Sequence, residues 1–120
     1  MPFARTDAVA RKEYPRTPDG RYFVAKSRLW RCTNPNLPEE RRRELVRDLM
    51  KARRAVRFAK DEEEERAARG AVHEAKVALG ERGPVWWNDG AADVNERHPK
   101  NTDYADWWAG LTEAERKAGS

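Results

Sequence analysis

The stretch NLPEERRRELVRDLMKARRAVRFAKDEEEERAARGAVHEAKVALG, residues 36–80, decides the fold. At 100° per residue, Leu45, Leu49, Ala52, Val56 and Ala59 fall on one narrow face, in steps of four and three. Arg43, Arg47, Lys51 and Arg54 fall on the opposite face. The pattern predicts an amphipathic helix with one apolar seam and one cationic ridge. Pro38 suits the first helical position, where its missing N–H would be unpaired anyway. Glu39, Glu40 and Glu44 place negative charge at the positive end of the helix dipole. A second helix is predicted to start within Asp61–Glu65, where Glu62 to Glu65 suit an N-terminus for the same reason. Its seam is mostly alanine: Ala67, Ala68, Ala71, Val72, Ala75, Ala78 and Leu79. Small residues let two helix backbones approach closely. Gly70 inside this run costs ~1 kcal/mol relative to alanine. It therefore marks a close contact, or a helix that begins only after it. Gly80 is placed for a left-handed cap, and Gly83-Pro84 ends the run. Two such helices joined near Asp61 form an antiparallel hairpin.

The flanks read outward from there. Upstream, Asp19-Gly20 signals a turn. In RYFVAKSRLWRC (21–32), Tyr22, Phe23, Val24, Leu29 and Trp30 favour strand. A β-hairpin turning at Lys26-Ser27 is predicted, although neither residue is a good turn former. Asn34-Pro35-Asn36 breaks the chain before the first helix. Residues 1–18 hold Pro2, Pro15 and Pro18; Ala8–Tyr14 suits a short helix, and otherwise this is a mobile arm. Downstream, Asn88-Asp89-Gly90 and His98-Pro99 are turns. Thr102 or Asp103 caps a last short helix carrying Tyr104, Trp107 and Trp108. Leu111 to Ala118 adds a frayed turn. The expected fold class is mainly α (α+β). An antiparallel helical hairpin (37–80) is joined by a small N-terminal β-hairpin (19–33). A Trp-rich loop and short helix (81–120) closes over both, within a single domain of 1–120.

A chain of 120 residues fits one domain. Charged and apolar residues each make up 38%, and the mean hydropathy is -1.08, so the core must be thin. No apolar run approaches the ~18 residues of a membrane span. The N-terminus lacks a signal-type apolar segment, so a cytoplasmic location and no membrane partner are expected. Cys32 is the only cysteine, which excludes an internal disulfide and a thiolate metal cluster. The net charge of +4 is unevenly divided. Residues 1–60 carry 17 Lys and Arg against 7 Asp and Glu; residues 61–120 carry 8 against 14. Such halves suggest a nucleic acid or another acidic partner. They also allow cancellation inside the fold, if the hairpin lays Arg53, Arg54 and Arg57 near Glu62–Glu65.

Three strings point further. DGRYFVAKSRLWRCTNPNLP (19–38), VALGERGPVWWNDG (77–90) and KNTDYADWW (100–108) resemble those of a family of short, uncharacterised bacterial proteins. The shared motifs are DGRY-V-RLWR-NP-LP and ALGERGPVWW-DG, and the likeness covers nearly all of the chain after residue 18. The resemblance implies a stand-alone protein of this size and no established activity. Members of the family often have glycine where this chain has Ser27, so the tight turn departs from the family pattern here.

Candidate functional residues fall into three groups. The first is the ridge Arg43, Arg47, Lys51 and Arg54, whose spacing along one helix face suits a row of phosphates. No helix-turn-helix, zinc-finger, RRM or KH signature accompanies it, and a solvated face has the same composition. The second group is aromatic: Trp30, Trp86, Trp87, Trp107 and Trp108. Buried indoles serve packing. In extended chain neighbouring side chains point opposite ways, so one of Trp86 and Trp87 faces outward and can stack on a base or meet a protein partner. Trp86 and Trp87 therefore join the ridge as candidate nucleic-acid-binding residues. The third group is Asp93, Glu96 and His98, chemically apt for zinc or manganese but also ordinary in a turn-rich loop. His73 lies opposite the alanine seam. No nucleophile elbow, Cys/His pair or phosphate loop occurs, and no cofactor is expected. Three functions follow: a non-enzymatic protein that binds nucleic acid or another polyanion; a protein adaptor or homodimer using the tryptophans; and a small metal-dependent enzyme.

Overall fold

The computed structural model describes residues 13–120, which divide into two compact units. One is residues 33–91. The other joins residues 13–32 to residues 92–120.

The first unit is the helical hairpin. Helix α1 spans Glu39–Arg57 and α2 spans Glu62–Leu79, packed against each other along their length. Pro38 is the N-cap of α1 rather than its first residue. Asp61 caps α2: its side chain accepts from Glu64 N at 2.8 Å, while the Glu64 carboxylate accepts from Lys60 N at 2.9 Å. The bond to Glu64 N satisfies a donor that the first turn leaves open, and the bond from Lys60 N fixes the chain entering the cap. At the other end Gly80 adopts φ 84°, the left-handed cap the sequence predicts.

Leu45, Leu49, Ala75 and Leu79 form the core of the hairpin, with Leu37, Val46 and Val72 packed around it. Ala52 and Ala68 are buried, and Val56 and Ala59 are half-buried. Not all of the alanine seam is enclosed. Ala67, Ala71 and Ala78 are exposed or half-exposed. Ala71 and Ala78 border an open groove of about 470 Å³ beside Ala52 and Ala75, because methyl side chains are too short to fill the space between the helices. Gly70 neither begins α2 nor makes a close contact. The helix runs through it, and a Cβ there would meet nothing within 4 Å.

The second unit is built on the β-hairpin. Strands β1 (Tyr22–Ala25) and β2 (Arg28–Arg31) pair antiparallel with Ala25 opposite Arg28. Lys26 and Ser27 form the two-residue turn at φ 53° and 64°, the geometry asparagine and glycine usually supply. A two-stranded sheet is marginal by itself. Here both edges are covered. Val24 N donates to Pro15 O, and Thr17 N donates to Tyr22 O, each at 2.9 Å. Along the other edge, Leu29 N donates to Arg97 O at 2.9 Å, and Leu29 O accepts from Glu96 N at 2.7 Å. Residues 15–17 are therefore docked on β1 rather than part of an arm. The helix expected at Ala8–Tyr14 lies, but for its last two residues, outside the described residues.

Tyr22, Val24 and Leu29 line one face of the hairpin and are fully enclosed, as is Pro99. Phe23 and Trp30 are paired on the opposite face, where Tyr14 stacks on Phe23 at 5.6 Å. The chain closes with a 3-10 turn at Pro99–Asn101, helix α3 (Ala105–Ala109) and helix α4 (Glu113–Ala118). Helix α4 is better defined than the frayed turn expected. Thr112 and Glu115 form a reciprocal capping box, and Gly119 lies against Val24 so closely that a Cβ would sit 3.2 Å from its side chain.

Candidate nucleic-acid interface

Helix α1 turns its seam toward α2, so the opposite face is left to solvent. Arg43, Arg47, Lys51 and Arg54 are all exposed, and Lys51 stands at the rim of the groove between the helices, which Asp48 and Glu74 also line. Arg43 is the one engaged member: its Nε donates to Glu39 at 3.0 Å. Glu39 also holds Arg42, and these two hydrogen bonds lower its pKa. Arg41 pairs with Glu44. Arg47, Lys51 and Arg54 have no ion pair among the described residues. The possible cancellation by Glu62–Glu65 is also absent as ion pairs among the described residues. Glu64 is turned back on Lys60 N, and Glu65 pairs with Arg69 at 2.9 Å.

The basic surface continues onto α2 through residues that the sequence pattern does not single out. Arg53 lies on the flank of α1 that borders α2, within electrostatic reach of Lys76. Lys76 of α2 is half-buried, and its pKa is lowered by that burial and by the nearby charges of Arg82 and Arg53. Arg82 also reaches His73, with Nη1 3.4 Å from Nδ1. The carboxylate of Glu81 offsets part of this repulsion. The signal in the sequence is a cation phase on the flank of each helix, away from the face directly opposite the seam.

Phe58 is a further residue that the seam pattern passes over. It caps the C-terminus of α1 and is 66% exposed, the most exposed large apolar residue described, ahead of Met50 at 43%. The neighbouring Ala59 takes the inward position and is half-buried. The signal is its phase: Phe58 follows Arg54 by four residues and Lys51 by seven, on the ridge and not on the seam.

Trp86 and Trp87 do not alternate in and out. Both are half-buried and meet edge to face at 5.2 Å. Trp86 lies beside Gly80, where a Cβ would come within 3.0 Å of its ring, and Trp87 Nε1 donates to Ala91 O at 2.8 Å. They close the open end of the hairpin, opposite the end that carries Phe58. Trp30, Trp107 and Trp108 belong to the other unit and are half-buried too. There Tyr22, Tyr104, Trp107, Trp108 and His98 follow one another as a chain of ring contacts, 5.7 to 6.4 Å apart.

The carboxylates of Asp93 and Asp19 accept from the phenols of that aromatic chain. Tyr22 donates to Asp93 at 3.0 Å and accepts from Val94 N at 2.9 Å. Asp93 also accepts from Asn95 N at 3.0 Å and faces the buried Arg31 at 3.6 Å. Burial, with the Asp93 charge adding to it, pushes the Tyr22 phenol up to about 12. Tyr104 donates to Asp19 at 2.6 Å, and its pKa is raised by burial and by that carboxylate. Burial opposes ionisation of Asp19, yet hydrogen bonds from Tyr104, Thr17 and Arg21 N hold its pKa below the ordinary value. Glu96 carries the left-handed φ of 72° that lets its N–H reach Leu29. His98 Nδ1 accepts from Lys100 N at 3.0 Å, and burial, then the Lys100 charge, lowers its pKa. Asp93, Glu96 and His98 are thus not brought together. Among the described residues no three His, Cys, Asp or Glu side chains form a group that could hold a metal ion.

No described helix is long and apolar enough to cross a membrane. Comparison with known proteins returns no matching family model, curated protein or solved structure.

Proposed function

We propose that this protein binds a polyanion, with nucleic acid the leading class, through the outward face of α1. The observation that carries the reading is the run Arg47, Lys51 and Arg54, all exposed and without ion-pair partners among the described residues, with Arg47 and Arg54 on the face away from the seam and Lys51 at the rim of the groove, where Asp48 and Glu74 also lie. Four further cationic groups, Arg57, Arg53, Lys76 and Arg82, extend that surface around the hairpin. Rows of this kind recognise phosphate charge and carry no base code, so binding is expected to be insensitive to sequence.

Charge reversal tests it. The double substitution Arg47→Glu and Lys51→Glu should abolish binding to a labelled oligonucleotide at low salt while leaving the helical circular dichroism and melting temperature unchanged. Milder removal, Arg47→Ala, should flatten the slope of log affinity against log salt by ~0.7–0.9 for each phosphate that is no longer neutralised. Absence of binding by the native protein at micromolar concentration would remove nucleic acid from consideration.

A further inference from the structure

We propose that the polyanion is single-stranded nucleic acid and that Phe58 stacks on one of its bases. This rests on the ridge reading and adds a second chemical element to it. Phe58 stands at the end of the ridge, 66% exposed, with Arg54 one turn before it and Lys51 two turns before. Steps of three and four residues along a helix place these groups about 4.5 and 6 Å apart along the axis. The phenyl ring gains little by packing where it is, because Ala59 fills the inward position at this end of α1. A cationic row ending in an open aromatic face matches a strand whose phosphates run along the row and whose unpaired base is free to stack. In a duplex the base faces are covered by their neighbours, so the ring would have nothing to meet. An inorganic polyanion would use the row and ignore the ring. A lipid surface is less well matched. Among the described residues, the face around Phe58 offers one other exposed large apolar group, Met50, two turns away, too little apolar surface to enter a bilayer.

The test compares native protein, Phe58→Ala, Phe58→Trp and the Arg47→Glu/Lys51→Glu pair. The probes are labelled oligothymidylate, inorganic polyphosphate as competitor, and phosphatidylserine vesicles. Phe58→Ala should weaken oligothymidylate binding about fivefold to a hundredfold and leave polyphosphate binding unchanged. Phe58→Trp should retain native affinity. The charge-reversed pair should lose both ligands. Equal oligothymidylate affinity in Phe58→Ala, with the charge-reversed pair still inactive, overturns the stacking and leaves the ridge reading standing. A native protein that binds neither polyphosphate nor oligothymidylate overturns both. Vesicle binding that Phe58→Ala removes, with oligothymidylate affinity unchanged, would replace nucleic acid by an anionic membrane.

Discussion

Two glycines of the helical hairpin give opposite predictions from the same substitution. Gly70 is exposed in mid-helix with open space around its Cα, so Gly70→Ala should stabilise the protein by roughly 0.5–1 kcal/mol. Gly80 holds a left-handed φ, and an added Cβ would lie 2.9 Å from Asn34 and 3.0 Å from Trp86. Gly80→Ala should therefore cost about 1–3 kcal/mol. Thermal or urea unfolding of the two variants separates them by sign. The phenols make a third prediction at this scale. Tyr22 titrates near 10 when unfolded and at about 12 in the fold, so the folded state keeps a proton that the unfolded state releases between those values. Its contribution to stability is complete below pH 10 and is lost as the pH rises toward 12. Tyrosinate absorbance should show Tyr22 and Tyr104 ionising only together with alkaline unfolding. Tyr22→Phe removes both the bond to Asp93 and the acceptor for Val94 N, and should cost about 1.5–3 kcal/mol.

At the scale of elements, the β-turn is the least well matched piece. Lys26 and Ser27 both sit at positive φ, which costs L residues roughly 1–2 kcal/mol each. The turn persists because its surroundings fix it: Ser27 N donates to Gly119 O at 2.8 Å, and both hairpin edges are paired. Replacing Lys26-Ser27 by Asn-Gly should raise stability by about 1 kcal/mol or more, measured by thermal unfolding. The helices were legible because their information is local. Leu45, Leu49, Ala52 and Val56 repeat within one window, Asp61 precedes its glutamates by one position, and Gly80 ends the period. That the C-terminal segment packs on the β-hairpin was expected, but the individual pairings were not legible. They depend on bonds such as Tyr22 to Asp93 and Leu29 to Arg97, which join residues separated by more than half of the chain, and no periodicity encodes them. The two-residue pattern of Trp86-Trp87 misled for a related reason: the loop is irregular, so strand alternation does not apply to it.

Across the whole molecule, charge is the feature that sequence and structure share most directly. The basic first half of the chain leaves Arg47, Lys51 and Arg54 exposed on α1, and of the acidic run after it Glu64 is engaged at the cap and Glu65 pairs with Arg69. The ridge was legible because a helix face follows from spacing alone. Phe58 shares that spacing but was passed over because the seam pattern looks only for buried apolar positions, whereas the Arg53, Lys76 and Arg82 group depends on how two helices and a loop are set within the hairpin. Replacing Glu62 and Glu63 by glutamine should tighten polyanion binding, since it removes opposing charge near the ridge end without touching the cap at Glu64. An NMR titration of the amide and arginine signals with oligothymidylate at low salt decides where the polyanion sits. Binding along α1 predicts shifts concentrated at Arg47 to Phe58, extending to Lys76 and Arg82, with Tyr22, Tyr104, Trp107 and Trp108 unmoved. Shifts confined to Trp107, Trp108 and their neighbours, with α1 silent, would contradict it.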